Sequence, residues 1–261
     1  MDWSERERDD VARAAALLGS PSLAIRLADL IGSPVEGLIK RLPEGAARKI
    51  DDAVKTALGT ALDAALATLD PRAKWLPARE HWHKAGAAAA GAAGGAFGLA
   101  GMAIELPVST LLILRAIADI ARSEGEDLAA PEARLACFEV FALGGRSSGD
   151  DAAETGYYAV RAALAEAVSQ AAQYVAQNAV SGAGAPVLVQ LIAKVAERFG
   201  VIVTKKIAAQ LVPAIGAAGG ALVNALFIDH FQTVARGHFV LRRLERKFGR
   251  AAVEAAFKSL S

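Results

Sequence analysis

From Ala85 to Leu114 the chain runs for thirty residues with a single charged side chain, Glu105. The first two-thirds of this stretch is almost pure alanine and glycine, and a second uncharged stretch, Ile207 to Ile228, repeats six of its residues: Gly91–Ala96 and Gly216–Ala221 both read GAAGGA. The spacings Gly91-x-x-x-Gly95, Gly94-x-x-x-Gly98 and Gly216-x-x-x-Gly220 let helix backbones approach closely. The segments therefore predict tightly packed apolar helices. They exclude a nucleotide loop, because the Lys-Ser/Thr of a phosphate loop and a G-x-G-x-x-G turn after a strand are both missing.

Twenty helical residues from Ala85 to Ile104 would reach roughly 30 Å, the thickness of a bilayer's hydrocarbon core. Yet only Phe97, Leu99, Met102 and Ile104 among them are large and apolar, and six are glycine. Each glycine costs about 1 kcal/mol of helix propensity relative to alanine. A buried or interfacial helical hairpin fits this composition better than a membrane span.

Composition points the same way. Hydrophobic residues make up 54 % of the 261, but aromatics only 6 %, the excess being alanine and valine. Many closely packed helices are expected rather than a few large aromatic cores. A net charge of +1 gives no global field toward nucleic acid, and none is expected as a partner. The single cysteine, Cys137, excludes an intramolecular disulfide and a multi-cysteine metal site. The charged start, MDWSERERDD, has no apolar core of a secretory signal, so a cytoplasmic location is expected.

Along the chain, Ser4 to Glu7 reads as a capping box opening a helix to about Leu18. Short helices follow between Gly19, Pro21, Gly32, Pro34 and Pro43. From Glu44 to Leu69, Ile50, Val54, Leu58, Ala61 or Leu62, Ala65 and Leu69 recur at helical steps on one face. Pro107 is expected to end the Ala/Gly helix and start the next, which Gly125 closes. Pro131 opens a short apolar helix ending at Gly144-Gly145. A polar loop leads into a helix of about 27 residues, ending near Asn178, whose stripe is Tyr157, Val160, Leu164, Val168, Ala171 and Val175. Pro186 and Pro213 start further helices, and the last long one runs from about Ala217 to Phe248 before Gly249 and a terminal helix. No stretch alternates with the period of a strand. The fold class is all-α: a multi-helix domain of about ten helices, with residues 1–75 an N-terminal extension and 76–261 the core of one unit.

Candidate chemistry is sparse. His81-x-His83 has metal-pair spacing only in an extended segment, because on a helix the rings diverge by about 200°. Surface histidines are the plainer reading, and no metal or cofactor is expected. Asp150, Asp151 and Glu154 sit at a helix start, where carboxylates favour the positive end of the dipole. On the last long helix, Phe227, Phe231, Val234, His238, Leu241, Glu245 and Phe248 fall within about 60° of one line, flanked by His230 and Arg242. His238 and Glu245 thus lie on an apolar face where an uncompensated charge costs several kcal/mol. Arg242 is within helical reach of both. Glu105, isolated among apolar residues, is expected to pair with Arg115 or Arg242. The opposite face carries Arg236, Arg243, Lys247 and Arg250, a candidate surface for anionic lipid.

The segments GAFGLAGMAIELPVSTLLILRAIADIARSEGEDLAAPEARLACFEVFALGG (Gly95–Gly145), ETGYYAVRAAL (Glu154–Leu164) and PAIGAAGGALVNALFIDHFQTVARGHFVLRRLERKFG (Pro213–Gly249) resemble the EcsC family. Glu105–Pro107, Arg115, Pro131–Glu132 and the H-F and L-E-R elements of the last segment carry the resemblance, which spans roughly Trp82 to Gly249. It implies a bacterial, cytoplasmic, membrane-associated protein. It also implies an ABC transporter as a partner by association, since the family is named for a protein encoded beside one. It supplies no active site. Two functions remain open. One is a non-enzymatic helical accessory protein at the inner face of the membrane that binds lipid or a membrane protein. The other is a hydrolase of an apolar or peptide substrate with Glu105, His238 and Glu245 as catalytic candidates, His230 joining them in a metal-dependent version.

Overall fold

Helices account for every regular element of the computed structural model, which describes residues 3–68, 98–145, 153–178, 184–210, 212 and 216–259. There are ten among these residues: α1 Glu5–Leu18, α2 Leu23–Ile31, α3 Val35–Ile39, α4 Ala46–Thr68, α5 Gly98–Ser123, α6 Pro131–Leu143, α7 Ala153–Gln177, α8 Pro186–Gln210, α9 Gly216–Phe248 and α10 Arg250–Lys258. No strand occurs among the described residues. Gly91–Ala96, the His81/His83 pair, Asp150, Asp151 and the helix start expected at Pro213 lie outside them.

Local signals account for most boundaries. In α1 the Ser4 amide donates to the Glu7 carboxylate at 2.9 Å, and the Glu7 amide returns a bond to Ser4 Oγ at 3.3 Å. This satisfies two of the donors that every helix start leaves over. α5 ends in a Schellman motif: Gly125 takes φ +81°, and the Glu126 amide reaches back to the Ala121 carbonyl at 3.0 Å. Gly249, at φ +83°, separates α9 from α10. The stripe Ile50, Val54, Leu58, Ala61, Leu62 and Ala65 is buried along α4, as its spacing requires.

Pro107 behaves differently from the expectation. It lies inside α5, which runs through it from Gly98 to Ser123. A proline in mid-helix removes one donor and orphans the carbonyl four residues earlier. That carbonyl belongs to Ala103, on the exposed side of the helix, where water can satisfy it. Buried residues on both sides of the proline, Met102 and Leu106 before it and Ile113, Leu114 and Ile117 after it, hold the two halves in one core.

The core centres on α6, α8 and α9. Five of the nine phenylalanines gather there, with Phe141 5.0 Å from Phe199 and 5.6 Å from Phe231 between ring centroids, Phe227 5.2 Å from Phe231, and Phe138 at the edge. Few aromatics in the composition thus still make one aromatic centre. Close backbone approach occurs at the end of α6. A Cβ on Gly145 would stand 2.5 Å from the Arg198 carbonyl oxygen of α8, and one on Gly144 2.4 Å from the Phe231 ring. Across the molecule α1 lies along α9, where a Cβ on Gly237 would meet Leu18 Cγ at 2.7 Å.

Candidate functional site

Buried charge contacts lie against α9 in three groups spaced along its length. Nearest its start, Lys206 of α8 donates to Glu105 of α5 at 2.6 Å. Both side chains are out of water, 1 % and 5 % exposed, and the ammonium stands 4.7 Å over the ring centre of Phe227 on α9. Burial lowers the Lys206 pKa, and the Glu105 charge opposes that shift.

The partner of Glu105 is therefore Lys206, not Arg115 or Arg242. Because α5 continues through Pro107, Arg115 is carried ten residues along the same helix, about 15 Å from Glu105. Arg242 is committed elsewhere. The sequence did hold the signal for Lys206: it stands seven residues after Phe199, four after Ile202 and three after Val203, on the apolar face of α8. It is a cation on a buried face, next to Lys205, as Glu105 is an anion on one.

Three to five turns further along α9 lies a second group, shared with α7. Arg161 holds Glu245 with two parallel bonds, Nη1 to Oε1 at 2.6 Å and Nη2 to Oε2 at 2.9 Å. The same Nη1 donates to the Tyr157 hydroxyl at 3.3 Å, and that hydroxyl lies 2.9 Å from His238 Nδ1. The phenol oxygen accepts from Arg161 and shares a single hydrogen bond with His238 Nδ1. Nε2 is buried with no hydrogen-bond partner among the described residues. Burial, reinforced by the charges of Arg161 and Arg242, pushes the His238 pKa well below 6.5 and keeps the ring neutral. Glu139 of α6 is buried beside this group; burial raises its carboxyl pKa while Arg161 and Arg242 pull the other way. Arg161 and Tyr157 were the unread half of the pairing. Arg161 sits in the α7 stripe, four residues after Tyr157 and three before Leu164.

The third group closes the far end. Arg242 donates Nε and Nη2 to Glu126 at 2.8 and 3.2 Å, and Arg246 adds a further bond to the same carboxylate. So Arg242 serves the loop after α5 rather than His238 or Glu245. Arg243 donates to Asp10 of α1 at 2.7 Å and lies 3.1 Å from Glu124, and Lys247 pairs with Glu7 of α1. Lys247 and the Ser4 cap hold the Glu7 carboxyl down to a pKa of about 2. Arg236 and Arg250 are exposed.

The catalytic candidates are not brought together. Glu105 is at the level of Phe227, eleven residues before His238, about 16 Å along α9. His238 is fully buried, and neither described cavity meets Glu105, His238 or Glu245. His230 donates Nε2–H to the Gly144 carbonyl at 2.8 Å. Among the described residues no three His, Cys, Asp or Glu side chains gather to hold a metal ion. Cys137 is buried, which raises its thiol pKa.

The end of the bundle near Glu105 has another property. Ile104 is 75 % exposed and Val108 46 % on α5, with Leu222 46 % exposed on α9. The Lys206 side chain, touching Glu105 and Phe227 together, fixes these parts of α5 and α9 beside one another. The contacts of Glu124 and Glu126 with Arg242, Arg243 and Arg246 join the far ends of the same two helices, which therefore run parallel. Among the described residues no single helix is long and apolar enough to cross a membrane.

No curated protein and no solved structure matches the chain. One family model does, that of the EcsC protein family, over residues 20–244. The match begins well ahead of Trp82 and takes in α2 to α4, so these helices and the later ones fall within one family region. By a match covering most of its length, the chain belongs to the EcsC protein family.

Proposed function

We propose that this protein is a non-enzymatic helical accessory protein that docks reversibly on the inner face of a bacterial membrane, through the end of the bundle where α5 and α9 begin. The observation that carries the reading is the exposure of Ile104, Val108 and Leu222 at that end. Exposed large apolar side chains grouped on adjacent helices suit an apolar partner. Two long uncharged stretches of the sequence, Ala85–Ile104 and Ile207–Ile228, run into the same end of α5 and α9. Fully burying a side chain such as isoleucine or leucine is worth about 1.5–3 kcal/mol, so three partly exposed ones favour attachment without irreversible insertion. A membrane-protein partner would use the same surface. The hydrolase alternative draws no support from the described residues, where its three candidate groups do not meet and neither described cavity reaches them.

The test is flotation with phosphatidylcholine vesicles, which offer an apolar interior and no net surface charge. Wild type is expected to float with them, and the Ile104→Glu/Leu222→Glu protein to stay behind while melting like wild type. Retention of full binding by that variant, or failure of wild type to bind, would overturn the reading.

A further inference from the structure

The basic face singled out in the sequence is not open: α1 covers part of it. Glu7 and Asp10, one turn apart on α1, engage Lys247 and Arg243, one turn apart on α9. Trp3 stacks on Phe248 at 4.4 Å between ring centroids. Val11, Ala14 and Leu18 make a narrow buried strip beneath, Leu18 resting where Gly237 leaves room. We propose that α1 is a latch that occupies a binding site for anionic membrane surfaces, and that displacing it frees the α9 basic face to hold lipid phosphates. The proposal deepens the membrane reading by adding a second, regulated surface.

Four observations distinguish a latch from an ordinary packed helix. The cations that hold α1 stay in contact with solvent, the Lys247 side chain 64 % exposed and that of Arg243 36 %, while Glu7 and Asp10 of α1 are turned inward, so water can take over the cations once α1 leaves. α1 also brings a like charge to the face: Arg236 has its pKa lowered, first by burial and then by Arg13 of α1. The chain breaks sharply behind α1, turning 52° into α2 across Gly19 to Ser22. Finally, α1 lies ahead of the family match, whereas Arg236 and Arg243 lie within it. α1 thus adds a cover, in acidic side chains, to a basic surface of the family region. With α1 displaced, Arg236, Arg243 and Lys247 line one side of α9 over about 16 Å, with Arg250 just beyond the Gly249 break, a row suited to several headgroups rather than one small anion.

The test compares two variants of the full chain that change net charge equally. Glu7→Gln/Asp10→Asn removes both acids of the latch. Glu5→Gln/Asp9→Asn removes two exposed acids of the same helix that face away from α9. Binding to phosphatidylglycerol-containing vesicles is measured by co-sedimentation at low and high salt. The latch variant is expected to bind roughly tenfold more tightly than the control, from Lys247 returned to the surface and Arg243 left with Glu124 alone. That gain should fade with salt and disappear when Arg243→Gln/Lys247→Gln is added. Gly237→Ala provides a route without charge change, since its methyl group overlaps Leu18 and lifts α1; it should show the same gain. If both the latch variant and Gly237→Ala bind no better than the control, α1 is only structural and the proposal falls. Repeating the measurement in the Ile104→Glu/Leu222→Glu background separates the two surfaces. Failure of the apolar end removes binding to phosphatidylcholine, and failure of the latch removes only the gain on anionic vesicles.

Discussion

Substituting the two ends of the Glu105–Lys206 pair, singly and together, is the most direct probe of how the apolar end is built. The carboxylate and ammonium are 2.6 Å apart, and their side chains are 5 % and 1 % exposed. Solvent therefore cannot replace a missing partner. Glu105→Leu leaves a buried ammonium over Phe227 with no opposing charge, and Lys206→Met leaves a buried carboxylate. Each should cost about 3–5 kcal/mol, against about 0–1 for breaking an exposed pair. For a chain of this size that corresponds to roughly 6–20 °C in melting temperature. The double replacement Glu105→Leu/Lys206→Met removes both desolvation penalties and fills the space with apolar atoms, so it should fall near wild type or above it. Urea denaturation of the variants, with unchanged m-values, gives the coupling. The reasoning fails if each single change costs less than about 1 kcal/mol, or if the double costs the sum of the singles. A Glu105→Gln protein that melts like wild type yet loses function in the cell would instead assign Glu105 a chemical role, and the non-enzymatic reading would have to go.

Three further outcomes follow from the geometry. Gly145→Ala places a methyl carbon 2.5 Å from the Arg198 carbonyl oxygen, a backbone atom that cannot turn aside, and should cost about 1–3 kcal/mol or more in thermal or urea unfolding. The folded-state pKa of His238 lies below the unfolded value of 6.5, so the unfolded chain binds the extra proton. Stability from this group is complete above pH 6.5 and is lost as pH falls below it, with a slope of at most about 1.4 kcal/mol per pH unit. Buried Glu139, its pKa raised above 4.5, acts with the opposite sign just above that value, so His238→Asn should flatten or invert the acid-side dependence of stability; an unchanged profile would contradict a neutral buried ring. Arg161→Met strands Glu245 and takes a donor from Tyr157, and should destabilise by about 3–5 kcal/mol, whereas Arg250→Met, on an exposed residue, should change melting little.

Periodicity made the helices legible because it depends on a single element: the α4 stripe, the α1 capping box and the Gly249 break each need only neighbours in sequence. Pro107 misled because the rule that proline ends a helix is a matter of local cost, and the core on both sides of residue 107 outweighs that cost. The pairings illustrate a different limit. Isolation on an apolar face correctly marks Glu105, His238 and Glu245 as residues that need partners, but it does not say from which helix the partner comes. Helical reach favoured Arg242 for Glu245, three residues away, yet Arg161 of α7, eighty-four residues distant in sequence, presents its planar fork squarely to the carboxylate. The same isolation test applied to cations would have selected Lys206 and Arg161, each sitting in a stripe of apolar residues.

The charged face of α9 shows why exposure cannot be read from one helix. Arg236, Arg243, Lys247 and Arg250 form a basic row in the sequence, and a row of that kind on an isolated helix would be solvated. In the fold, Asp10 and Glu7 of α1, more than two hundred residues earlier, meet Arg243 and Lys247, and Glu124 after α5 meets Arg243 as well. Asp10 and Arg13 are spaced i, i+3 and form an ion pair within α1, which makes α1 look like a solvent helix stabilised by its own charges. Its true role depends on which of its charges face α9. The basic face and the apolar end are accordingly different surfaces. Leu222 and Lys247 are separated by twenty-five residues of one helix, about 37 Å, so a flat membrane can engage both only if α9 lies along it. Attachment through the apolar end alone would stand α9 away from the surface and leave the latch facing water. Opening the latch would then favour a tilt of the whole bundle toward the membrane, because freed cations gain energy only within about a Debye length of the anionic surface.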